Sequence, residues 1–243
     1  MGYTVTRKDI GTVVMDIKEF AKSYWNYYLE LEKRMEETRR YTEYDENNFK
    51  TYSSNYLMLF QAVCSEIDVV GKELAAYFNT GYDEDEKSIN RWWYEIQDNL
   101  TDVFREVKFS DTYQLCPWDK YRVVKVSSIQ NRNGKQVTVN NYNLQPKTDG
   151  ITYATPKWWN AYNKVKHKRL KIDDDGINYK KANLLNVSNA FAALYLLEFE
   201  FMKKIGTVQE MVQCGESQLF GMGDLQESFI DSLFPENGGI TFQ

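Results

Sequence analysis

The chain is poor in the residues that build most recognisable catalytic centres, with a single histidine, three cysteines and four prolines among 243 residues. Cys64, Cys116 and Cys214 lie far apart and form no C-x-x-C pair, which excludes a zinc knuckle and a disulfide framework and fits a reducing compartment. No metal and no cofactor are therefore expected. Gly221-Met-Gly223 lacks the third glycine and the strand-turn-helix setting of a phosphate-cradling loop, and no G-x-S-x-G or Walker pattern occurs. Long apolar runs are missing too: no stretch approaches the roughly 18 apolar residues of a membrane helix. The first residues, Met1-Gly2-Tyr3-Thr4-Val5, lack the charged-then-apolar order of a signal peptide. The expected address is the cytoplasm, with no membrane partner. Positive charge is short overall, at a formal net charge of −5, which excludes a protein that coats nucleic acid over its whole surface. Any basic site must be local.

What is present suffices for a core. Hydrophobic residues make up 42% of the chain and aromatic residues 15%, enough to bury one large domain or one domain with an insertion. Over residues 9–41, Ile10, Val14, Ile17, Ala21, Tyr24, Tyr28, Leu31 and Met35 recur in steps of four and three, the seam of one long helix. A second helix is predicted over 49–78, with Tyr52, Tyr56, Leu59, Val63, Val70, Leu74 and Tyr77 on one stripe and Asn79-Thr80-Gly81 closing it. Glu66 projects within that stripe, where it needs a partner, while Asp68 points away toward Lys72. A third helix is predicted over 87–108 after an acidic lead, Asp83 to Glu86, suited to a helix N-terminus.

The pattern then changes. Residues 121–126 and 135–139 are β-rich runs flanking Asn131-Arg-Asn-Gly134, a hairpin signal, and they mark 110–150 as a β-hairpin insertion. Helical periodicity returns at Thr155-Pro156, with Thr155 as cap, and runs to about residue 170. Asp173-Asp-Asp-Gly176 matches a calcium loop only superficially and reads as a solvated turn. Residues 179–204 form the most hydrophobic helix, apolar on most sides and so central, with Lys203, Lys204 and Gly206 at its end. The expected fold is mainly α: an antiparallel helical bundle made of 1–109 and 151–206, with the hairpin insertion between them and a tail over 207–243 that has a helical scrap at 225–234.

Chemistry is concentrated in residues 158–171. A helical projection sets Trp158, Tyr162 and Val165 on one face and Asn160, Asn163 and His167 on the opposite one, with Lys164 and Lys171 at the border. Tryptophans at helical spacing, here as at Trp92-Trp93, read first as core anchors. Histidine exchanges protons near neutral pH, amides bind phosphate oxygens and lysines offset polyanion charge, a set suited to RNA. The economical reaction is attack by the RNA 2′-hydroxyl on the adjacent phosphate, with His167 as proton carrier and no metal. A lone histidine among lysines on a helix is also the ordinary composition of a solvated face.

Two motifs in order carry a resemblance: Ala62-Val-Cys-Ser-Glu-Ile-Asp68 followed by Lys72, then Tyr162-Asn-Lys-Val-Lys-His-Lys-Arg169 before a long apolar helix. Together they resemble bacterial HEPN-type helical domains of abortive-infection or uncharacterised kind. The resemblance implies an antiparallel helical bundle, often dimeric, whose active members are metal-independent endoribonucleases of toxin–antitoxin and phage-defence systems. It places His167 on the family's catalytic histidine, with Asn163 and Lys166 in the adjoining polar motif, and implies a supporting position for Glu66 facing the His167 helix; the basic face of the segment makes Asn160, Lys164, Lys166, Arg169 and Lys171 the expected RNA contacts beside catalytic His167 and Asn163. It further implies RNA, a second copy of the chain, and an antitoxin or other protein as partners. The arginine that precedes the histidine in that family is missing: Asn160, Ala161 and Tyr162 stand where it belongs, and Arg169 follows instead. A non-catalytic protein-interaction module is the competing expectation.

Overall fold

A computed structural model of the chain describes residues 15–82 and 88–220. They are mainly helical, with short antiparallel strand pairs. The first helical stretch comprises α1 (Ile17–Phe20), a π-helical segment (Ala21–Trp25) and α2 (Asn26–Glu37). Asp16 caps it, its carboxylate accepting from the backbone N–H groups of Lys18 and Glu19. The seam predicted from Ile17 to Met35 is buried apart from a half-buried Tyr24; the π segment inside it is not announced by the heptad spacing. The predicted positions Ile10 and Val14 lie outside the described residues. Helix α3 (Ser54–Phe78) begins five residues later than predicted, because the Ser53 hydroxyl accepts from Tyr56 N–H and sets the cap there.

The third helix is much shorter than its periodicity suggests. Helix α4 (Ile89–Ile96) gives way to a 3-10 turn (Thr101–Phe104) and then to strand β1 (Val107–Phe109), paired with β2 (Tyr113–Leu115). Ile89, Trp93, Ile96, Leu100, Val103 and Val107 are nevertheless all buried. Apolar spacing found the inward residues and misjudged the backbone that carries them. Gly71 lets α4 approach α3: a Cβ there would lie 2.7 Å from ring carbons of the fully buried Trp92.

The stretch read as an insertion is core at its start and exposed at its far end. Trp118 and Tyr121 are fully buried and stack with Trp93, Trp118 at a centroid distance of 4.3 Å and Tyr121 at 5.1 Å. The ribbon of β3 (Val123–Arg132) and β4 (Lys135–Leu144) grows out of that cluster. At its root the Gln97 amide donates to Val123 O at 2.7 Å and accepts from Val123 N–H at 3.0 Å. Its tip is the two-residue turn Asn133-Gly134, both with positive φ, the hairpin geometry that an Asn-Gly pair favours.

Helix α5 (Lys157–His167) follows, capped at Pro156 without a side-chain hydrogen bond; Thr155, the expected cap, does not serve. Strands β5 (Ile172–Asp173) and β6 (Gly176–Ile177) make a tight turn, so the aspartate run is a turn as expected. A 3-10 turn (Asn178–Lys181) then leads to α6 (Leu184–Ile205), whose start is set by the Asn183 side chain accepting from Asn186 N–H. Every residue from Ala190 to Met202 is buried, as a central helix requires. Helix α7 (Val208–Gln213) closes the described chain with a reciprocal Thr207–Glu210 capping box. The predicted scrap at 225–234 lies outside the described residues.

Ring contacts give the helix directions. Phe20 meets Phe201, Trp25 meets Tyr195 and Tyr28 meets Phe191, so the first helical stretch runs opposite to α6. Helices α3 and α6 instead run the same way. They start together, where Leu184 N–H donates to Thr51 O and Tyr52 bridges Asn183, and finish together, where Tyr77 and Phe78 pack on Phe201. The expectation that neighbouring helices alternate in direction fails for this pair, because the hairpin region and α5 fill the chain between them. No helix of the described residues is long and apolar enough to cross a membrane.

Candidate functional site

Helix α5 is anchored by its aromatics and presents its polar faces outward. Trp158, Trp159 and Tyr162 are buried. The Trp158 indole N–H donates to Pro117 O at 2.9 Å and its ring stands edge-on to Trp118, while Tyr162 packs on Phe60 of α3. These tryptophans are core anchors, as expected. Four residues on another face of α5, Lys157, Asn160, Ala161 and Lys164, follow the i, i+3, i+4, i+7 spacing. They form one wall of a cleft of about 710 Å³.

The opposite wall comes from the segment before α3 and from the chain that runs from the β5–β6 turn through the 3-10 turn into the first turn of α6. Lys50 and Tyr52 contribute from the first; Asp175, Lys180, Lys181, Asn183 and Asn186 contribute from the second. Five lysines thus face one lining aspartate, in a chain that is acidic overall. Asp173 bridges the walls from below: Lys164 Nζ lies 2.7 Å and Lys181 Nζ 3.0 Å from its carboxylate, and Asp175 takes Lys181 at 3.3 Å. The hydrogen bonds from Lys164 and then Lys181 pull the Asp173 carboxyl down to about 2, and the Asp173 hydrogen bond raises Lys164. Lys50, Lys157 and Lys180 have no ion-pair partner among the described residues.

The predicted site residues divide between two neighbouring surfaces. Asn160 and Lys164 belong to the cleft. His167 is the last residue of α5 and is exposed, with Asn163 one turn before it and half-buried. Lys166 lies over the Tyr162 ring at 5.3 Å, and Lys168, Arg169 and Lys171 are exposed. The backbone beyond the helix is held in place: Asn178 donates through Nδ2 to Lys168 O and through its backbone N–H to Lys171 O, and Tyr179 N–H donates to Arg169 O, each at 2.9 Å. His167 is thus exposed within a run of exposed cations, Lys166, Lys168, Arg169 and Lys171.

Glu66 does not join them. Phe60, Cys64 and Asp68 are the α3 residues whose rings or charges act on α5, through Tyr162 and Lys166. Two residues round a helix is about 200°, so Glu66 turns to the other side, where its charge acts on Tyr24 and Glu198. Burial raises the Glu66 carboxyl. Asp68 pairs with Lys72 at 2.5 Å, as its position on the helix predicts.

Lys50, Tyr52, Lys157, Lys180, Lys181, Asn183 and Asn186 escaped the sequence reading. Lys157 was within reach, since it continues the Lys164–Asn160 row by one step of three. The others join α5 only through the parallel start of α3 and α6, which no local pattern encodes. Among the described residues, no group of three or more His, Cys, Asp or Glu side chains is placed to hold a metal ion. No protein-family model, curated protein or solved structure matches the chain.

Proposed function

We propose that the chain is a HEPN-like helical bundle that binds RNA along α5, in a stress-response or phage-defence setting that the motif resemblance supplies. The observation that carries the reading is the lysine-rich cleft beside an exposed histidine on a globally acidic protein. Unpaired ammonium groups in a concave surface attract polyanions and release their counterions. Helix α5 supplies the boundary between that cleft and the His167 surface, so one strand can engage both. A second copy of the chain and an antitoxin-type protein are the protein partners that the resemblance implies. Sedimentation with and without RNA tests the first.

Binding to single-stranded RNA, measured by fluorescence anisotropy across a salt series, tests the proposal. The Lys157→Ala/Lys180→Ala variant removes two unpaired cations and is expected to flatten the salt slope by about 1.4. An unchanged slope would remove the cleft from the interface. Cleavage is assayed separately, with chelator present, on wild type and His167→Ala. Activity lost in the variant supports a metal-independent ribonuclease with His167 as proton carrier.

The non-catalytic reading has support of its own. Asn160 lines the cleft while Ala161 and Tyr162 are buried, so no guanidinium precedes His167 on this helix. The ring also has no hydrogen-bond partner among the described residues to orient it. Equal inactivity of both proteins, with binding retained, would decide for a binding module.

A further inference from the structure

The cleft contains one feature that a purely electrostatic polyanion site has no use for, an aromatic ring presented among the lysines. Tyr52 is 41% exposed, and its backbone is fixed by the bridge to Asn183. Tyr179 braces the ring edge-on at 5.8 Å. The Lys180 ammonium lies 5.3 Å from the ring centroid. That contact is an exposed cation–π pair, weak enough to exchange, and displacing it sends a cation toward a neighbouring phosphate. Beside the ring, Asn183 uses its Oδ1 on Asn186 N–H, and Asn186 uses its Nδ2 on Lys181 O. The Asn183 amide NH2 group and the Asn186 amide oxygen are left over, a donor group and an acceptor.

We propose that the cleft takes an unpaired nucleotide of an RNA strand, its base stacked on Tyr52 and read by Asn183 and Asn186, its flanking phosphates on Lys50, Lys157 and Lys180. The inference rests on the RNA-binding reading and narrows it to single strands, because a base held in a duplex shows a side chain neither its face nor its pairing edge. Stacking on an aromatic ring tolerates any base, and the two amides add a modest preference among them.

The test uses the full chain with a single-stranded RNA oligomer carrying one 2-aminopurine, and the same strand annealed to its complement. Wild type and Tyr52→Phe are expected to bind the single strand with quenched 2-aminopurine fluorescence, and to bind the duplex less tightly. Tyr52→Ala is expected to bind the single strand about 10-fold more weakly with the quenching lost, and with its salt slope unchanged. Thermal unfolding of Tyr52→Ala shows that the fold is retained. Equal affinity for single strand and duplex, or quenching that survives in Tyr52→Ala, would overturn the stacking site and leave RNA binding intact. No binding of either RNA by wild type would overturn both. Adenosine triphosphate as a separate probe distinguishes a strand from a free nucleotide: Tyr52-dependent binding of the triphosphate alone would overturn the strand.

Discussion

Just before α6, acids and lysines meet at the protein surface; about four turns into that helix lies Glu198, fully buried and with neither carboxylate oxygen hydrogen-bonded. The two places treat a carboxylic acid in opposite ways. Asp173 is solvated and held by two lysines, and its acid is strengthened to about 2. Glu198 is pushed well up, first by burial and then by the charge of Glu66. A third acid, Glu32, is buried with its hydrogen bonds in place: it accepts from Tyr28, Ser217 and the backbone N–H groups of Gln218 and Leu219. A buried carboxylate whose oxygens have partners costs less than one whose oxygens have none.

The contrast depends on the interior staying rigid, and the hardest test of that is Trp118→Ala. Trp118 stacks on Trp93, donates to Ala193 O and backs Trp158 of α5. Its loss is expected to cost about 3–5 kcal/mol, read by urea denaturation, and to weaken RNA binding because α5 loses its seat. A loss under about 1 kcal/mol would show that the aromatic cluster is not what fixes the cleft wall.

Glu198→Leu sharpens the comparison from the opposite side. The folded chain keeps a proton on Glu198 that the unfolded chain releases once pH exceeds the ordinary carboxylate range. Glu198 therefore subtracts stability progressively as pH rises from that range toward its raised folded value. Leucine removes the penalty, so a gain of about 2 kcal/mol is expected near pH 8, shrinking as pH falls toward about 4 and no longer varying below it. A gain that does not vary with pH would count against the buried acid. Asp173 has the reverse sign: its contribution is present above its usual value and is lost as pH falls toward about 2.

The smallest effect is expected at the solvated end. Asp173→Asn unpairs Lys164, leaves Lys181 with Asp175 alone, and adds one positive charge to the cleft. RNA affinity is expected to rise about 3- to 10-fold at moderate salt, with a steeper salt dependence. Weaker binding would mean that Asp173 orients the lysines more than it neutralises them.

Periodicity found what is buried more reliably than what is helical. Val103 and Val107 point inward as their spacing requires, yet one lies in a 3-10 turn and the other in a strand, since burial constrains side chains and many backbones satisfy it. The β-rich runs that follow Trp118 and Tyr121 make the stretch look like an insertion, while their partner Trp93 is about 25 residues away. Asn160 and Lys164 were legible as outward residues because both lie on one helix, but the projection groups Asn160 with Asn163 and His167, which do not line the cleft. Tyr52 was not, having been read as the first residue of a buried stripe; the Ser53 cap excludes it from α3 and turns it outward. The motif resemblance puts Glu66 near the histidine, and helix rotation carries it to Tyr24 and Glu198 instead.

The backbone link between Thr51, Tyr52 and the start of α6 has a thermodynamic corollary. Both long helices are nucleated at the same few peptide groups, so the floor of the cleft cannot widen unless two helix starts unravel together. A ligand arriving there meets a preorganised base, and the disorder it must quench is confined to the rotamers of the lysines at the rim, at about 0.5–1.5 kcal/mol for each one immobilised.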